Sequence, residues 1–154
     1  MQLVYLLVLL IVAMLAGRPV VVHAQRADSA AGTSLDFNYF RDKVQPIFLA
    51  KRPGHGRCVS CHQSEPGGGG GSAYLQPFDS GKTTWTEEQS RKNFEAVSRL
   101  VVPGNAMRSR LLVHPLRFEA GGDPYHMGGK HWDTPLDPEW QVLYKWVKGE
   151  KGTS

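Results

Sequence analysis

The chain has 154 residues, 41% of them hydrophobic, with a formal net charge of +4. That length suits one small domain. Charges of both signs are mixed along it, and so mild a positive balance excludes a nucleic-acid binder, which needs a dense basic face.

Residues 3 to 16, LVYLLVLLIVAMLA, are uninterrupted apolar residues. Such a run fits the core of a signal peptide and is short for a membrane span, which needs about 20 residues. Val22-His23-Ala24 puts small residues where a cleavage site wants them. No Lys or Arg precedes the apolar run, so the amino terminus alone carries the positive charge there. We read residues 1–24 as a signal peptide and the protein as exported to the periplasm, with an uncleaved membrane tether as the alternative. Residues 25–34, QRADSAAGTS, read as a flexible leader, and residues 35–150 as the folded domain.

In LDFNYFRDKVQPIFLAK, Phe37, Phe40, Val44, Ile47 and Phe48 fall on one helical face. Pro46 interrupts that pattern, which predicts a kink, or a helix ending near Val44 and a new turn at Pro46. The chain then passes Pro53-Gly54 into RPGHGRCVSCHQ and on to the run Gly67–Gly71. No Gly-Lys-Ser/Thr follows those glycines, so they read as a flexible loop and not as a phosphate cradle. Thr86-Glu87-Glu88-Gln89 is a capping-box sequence, and Phe94, Val97, Leu100 and Val101 form the apolar face of the helix it opens. Pro103-Gly104 ends that helix, and Asn105 caps a shorter one carrying Met107, Leu111 and Leu112. RFEAGGDPYHMGGKHWDTP looks irregular. Asp137-Pro138-Glu139 then opens a last helix, with Trp140, Leu143, Tyr144 and Val147 on one face. The sum is three or four short helices joined by long loops, with little strand signal. Loops of that length imply something for them to wrap, and a large apolar cofactor would supply the core a small domain lacks.

The two cysteines of the chain, Cys58 and Cys61, are followed at once by His62. C-x-x-C-H is the attachment signature of c-type haem. Its thiols form thioethers with the two vinyl groups, and its histidine reaches the iron from the proximal side. Three rivals compete. A redox dithiol wants a βαβ setting, which is not visible here. A simple disulfide is open to any exported pair. A zinc site needs a second pair of ligands, which His114, His126 and His131 could supply.

The helix ending in VQPIF, then CVSCH, VVPG, RSRLL, a methionine-bearing loop and the final LDPEWQVLYKWV together resemble the class I cytochrome c family. They are most similar to single-haem cytochrome c domains of planctomycete and acidobacterial type. The likeness spans residues 35 to 149. It implies an all-α cytochrome c fold of three to five short helices, wrapped around one covalent haem c, with the first and last helices crossing and the haem edge exposed. It also implies electron transfer outside the cytoplasm. The expected partners are redox proteins, with a membrane redox complex as one alternative.

The ligand opposite His62 is less determined. Outside the export segment the methionines are Met107 and Met127. Met107 reads as core filling. Met127 stands on an irregular loop shortly before the last helix, where the resemblance implies the distal methionine, and Gly128 and Gly129 permit close backbone approach. Met127 is therefore the expected distal ligand, although family members commonly have proline where Gly128 stands. His131, His126 and His114 are the alternatives, and an open distal site, as in peroxidase-like or gas-binding haem proteins, is the remaining one. Lys51, Arg52 and Arg57 precede the motif and read as a solvated face or a docking surface for an acidic partner. His55 reads as a surface residue. Trp85 and Trp132 read as core, with indole donation to a propionate as the alternative. No nucleophile–base pair or carboxylate cluster suggests catalysis, which leaves an electron carrier as the main reading.

Overall fold

The computed structural model describes residues 33–63 and 75–152. The signal peptide read over residues 1–24, most of the leader and the loop Gly67–Gly71 lie outside the described residues. Among the described residues there are helices and isolated bridging pairs but no strand. No described helix is long and apolar enough to cross a membrane.

The first helical run, α1, covers residues 37–49. It starts as an α-helix at Phe37–Tyr39, capped by Asp36, whose carboxylate accepts from the Tyr39 amide at 2.7 Å. It widens to a π-helix at Phe40–Val44 and tightens to a 3-10 helix at Gln45–Leu49. Pro46 is the cause. It has no N–H to give the fourth residue back, and its ring would clash with that carbonyl in a straight helix. The wider turn, in which the Gln45 amide bonds Phe40 O, absorbs both problems. The expected break near Val44 is therefore a change of helical pitch within one run.

Helix α2 is Cys58–His62, a single turn. Helix α3, Glu87–Ser98, opens with the full capping box: Thr86 Oγ1 accepts from the Gln89 amide at 3.2 Å, and Gln89 Oε1 accepts from the Thr86 amide at 2.9 Å. Asn105 caps only a 3-10 turn, Ala106–Arg108, and α4 follows separately at Arg110–Val113. Helix α5, Pro138–Val147, starts at the Asp137 cap.

The core forms where α1, α3 and α5 meet. Phe40 and Trp146 are fully buried, their rings 5.3 Å apart, with Phe94 against both. The Trp146 indole donates to Asp36 O at 2.9 Å, which ties the last helix to the start of the first. Of the residues on the apolar faces of the first and last helices, Phe40 and Val147 are fully buried and Phe37 and Tyr144 partly so. A polar network crosses the same interface. Gln45 donates to Ser90 Oγ at 2.9 Å, Asn93 donates to Gln45 Oε1 at 3.4 Å, and Asn93 Oδ1 accepts from the Gln76 amide at 2.6 Å. All three side chains are buried, and each finds partners, as buried polar groups must. Trp85 and Trp132 are core residues, with their indole N–H groups bonded to Gln76 O and Glu139 Oε2. Met107, read as core filling, is instead half exposed and lies over Gly121, on the outside of the short 3-10 turn.

Two predictions follow from these contacts. Thr86→Ala removes one half of the capping box and lowers unfolding free energy by about 1 kcal/mol in denaturant titration. The amides of Tyr39 and Gly152, above all that of Tyr39, hold the Asp36 carboxyl below its ordinary 3.8. Its contribution to stability is therefore present above pH 3.8 and lost as pH falls through the lowered value. Asp36→Asn removes that part of the acid dependence, so the wild-type and variant stability curves converge at low pH.

Candidate functional site

Cys58 and Cys61 sit three residues apart on the single turn of α2, hence on neighbouring positions of one face. Both are free thiols; Cys58 is partly buried and Cys61 exposed. Burial pushes the Cys58 thiol above its ordinary pKa, and the nearby Arg52 guanidinium opposes this only in part. Attacking cysteines of redox dithiols are arranged the other way, with a lowered pKa.

Arg52 is not on a solvated face. Its side chain is 11% exposed and bridges three segments. It pairs with Glu139 at the start of α5, with Nε at 2.6 Å, and it donates to Ile47 O and Ala50 O at the end of α1. Its guanidinium also lies 5.7 Å from the Trp132 ring centroid, and Trp132 donates to the same carboxylate of Glu139. Lys51 and Arg57 remain exposed. Two open clefts flank this segment. One of about 480 Å³ is lined by Lys51 to His55, and one of about 310 Å³ by Leu49, Lys51, His55, Gly56, Arg57 and Ser60.

Four histidines converge beside His62 of α2. His55 lies 5.1 Å from His131 between ring centroids, His131 5.5 Å from His126, and His126 5.0 Å from His114. His62 and His126 are within 5° of parallel, with centroids 6.4 Å apart. His114 is held through Nδ1 by both carboxylate oxygens of Asp123, at 2.8 and 2.7 Å. Lys130 Nζ donates to His114 O and to Asp123 O, closing the loop between them. The amide of His131 bonds Pro115 O at 2.8 Å, and that of Arg117 bonds Trp132 O at 2.9 Å, so the loop of residues 117–131 is pinned at both ends. Gly122 makes this fold-back possible: a Cβ there would stand 1.9 Å from Leu116 O.

The expected site residues distribute as follows. Cys58, Cys61 and His62 share α2, and His126, His131 and His114 gather near it. His55, read as a surface residue, joins them, and only its neighbourhood in three dimensions reveals this. Met127 does not join: its side chain is fully exposed, at 101% of its reference area. Adjacent residues in this turn face opposite ways, and His126 takes the inward place.

The ring chemistry suits metal ligation. Burial, reinforced by Arg52 and by neighbouring histidines, pulls His131 down to about 4. Burial likewise lowers His126, with His114, His62 and Lys130 adding to it. Both are therefore neutral at neutral pH, the form that binds metal. His62 Nδ1 and His131 Nδ1 are buried without a hydrogen-bond partner among the described residues, unusual for polar atoms in a folded chain. Among the described residues no group of three or more His, Cys, Asp or Glu is arranged to hold a bare metal ion. A zinc site asks for three or four protein donors. Haem iron asks for one or two, and this donor set fits that demand.

Arg52→Met leaves Glu139 without its cation and the carbonyls of Ile47 and Ala50 without a donor. Breaking one side of a largely buried pair costs roughly 2 to 4 kcal/mol, the low end applying because Glu139 is 32% exposed. Denaturant unfolding of the variant measures it.

No family model, no curated protein and no solved structure matches this chain.

Proposed function

We propose that the protein is a monohaem c-type cytochrome of all-α cytochrome c fold. It is exported to the periplasm and passes single electrons between redox protein partners, alone or within a larger redox complex. The observation that carries this reading is the C-x-x-C-H motif on one helical turn, with the ring of His126 parallel to that of His62 and His131 beside it.

When bound, haem c supplies a one-electron Fe(III)/Fe(II) couple, which the surrounding protein tunes. Cys58 and Cys61, neighbours on α2, would hold it through two thioether bonds. His62 would supply the iron with an imidazole nitrogen from the same turn. Arg52 fixes the approach of the chain to Cys58 by locking the end of α1 to Glu139 and Trp132. The loop of residues 117–131 carries His126 and His131 to the side of α2, where they would line the haem site. Exposed Lys51 and Arg57 beside the motif give the docking face a positive charge, which speeds encounter with an acidic partner at low salt.

Expression with a cytochrome c maturation system tests the reading. The expected product shows a Soret band and keeps its haem after denaturing electrophoresis, and the Cys58→Ala/Cys61→Ala protein does not. It also titrates reversibly as one electron. A wild-type protein with no covalent haem, or one whose cysteines are oxidised to a disulfide under those conditions, overturns the proposal.

A further inference from the structure

Resting on the haem reading above, the geometry points to His126, and not Met127, as the second axial ligand of the iron held by His62. The tautomer is fixed first. His126 Nδ1 contacts Gly129 O, a carbonyl that only accepts, so the ring proton is on Nδ1 and the lone pair is on Nε2. Anchoring the far nitrogen on a backbone carbonyl is the usual way a protein orients a metal-binding histidine.

The spacing agrees. Two metal–imidazole bonds of ~2 Å and two ring half-widths of ~1 Å place the centroids of a linear imidazole–iron–imidazole unit about 6 Å apart. The rings of His62 and His126 are stacked within 5° of parallel with centroids 6.4 Å apart, so it is their separation that matches. Gly128 completes the arrangement. A Cβ at that position would stand 3.1 Å from His126 Cε1 and 3.5 Å from Nε2, so the missing side chain keeps the ligating edge clear. Gly129, at φ +80°, adopts the left-handed turn that returns its carbonyl to Nδ1.

The competitors fit less well. Met127 points its thioether into solvent. The ring of His131 stands against those of His55, His126 and Trp132, whereas the ring that stands parallel to His62 is that of His126. His114 is oriented by Asp123, but its ring meets His126 edge to face, which makes it a positioning residue for His126.

The test uses the ferric holoprotein, purified with its haem attached. The expected spectrum is low-spin and lacks the far-red sulfur-to-iron band that methionine ligation gives. Met127→Leu leaves it unchanged. His126→Ala converts it to high-spin, and added imidazole restores low-spin. His126→Met introduces the sulfur-to-iron band and raises the reduction potential, because thioether sulfur favours Fe(II). Gly128→Ala crowds His126, whose ring supplies the nearest atoms to the added Cβ, and shifts the low-spin signature, a readout that stands even if His126→Ala does not fold. Three results overturn the role of His126 while leaving covalent haem intact. They are a wild-type sulfur-to-iron band lost in Met127→Leu, a high-spin wild type that binds CO stoichiometrically when reduced, and a low-spin state that survives His126→Ala but not His131→Ala. A wild-type chain that carries no haem overturns this inference and the reading beneath it together.

Discussion

The site depends on one partly buried cation. Arg52 stands between the end of α1, the indole of Trp132 and the first turn of α5, and its fork of donors satisfies all of them at once. Lysine, with a single point of charge, would not bridge two carbonyls and a carboxylate while stacking on a ring. Because the chain runs from Arg52 into α2 within a few residues, this anchor sets where the two thiols and His62 face. Because Trp132 follows His131 directly, it also sets where the histidine loop returns. Both halves of the site are therefore registered against the same guanidinium.

The body beneath it is organised on a different principle. Phe40, Phe94 and Trp146 supply the apolar contact, but Gln45, Ser90 and Asn93 give it direction. Apolar side chains slide against each other at little cost, whereas a buried amide network has one satisfied arrangement. The Asn93 carbonyl oxygen also takes the amide of Gln76, so the segment that re-enters after residue 74 is held by the same network. Core and loops are thus joined through polar side chains, which hydrophobic patterning overlooks.

Legibility in the sequence followed the range of the interaction. Helix starts were readable because their signals are local: Thr86 with Gln89, and Asp137 ahead of Pro138. The disturbance at Pro46 was readable for the same reason, although not its resolution into a π turn. Burial of Arg52 and the convergence of His55 on His131 were not, since charge and polarity predict exposure and the partners lie far along the chain. Trp146 escaped because its neighbours Tyr144 and Val147 already completed an apolar face. The case of Met127 is the most instructive. Gly128 and Gly129 did announce a close approach, but which of two adjacent side chains used it depends on the direction of a turn, and His126 uses it.

Asp36 receives the Trp146 indole on its carbonyl and the Gly152 amide on its carboxylate. These bonds span 110 and 116 positions of sequence, so forming them closes nearly the whole domain into a ring. Loop closure on that scale carries an entropic cost that grows only slowly with length but must be met before the contact returns anything. The short-range turns around α3 and the Asp123–Lys130 loop face no such delay. The order of assembly that this implies runs from the middle of the chain outward, with the two ends docking last on a body already formed.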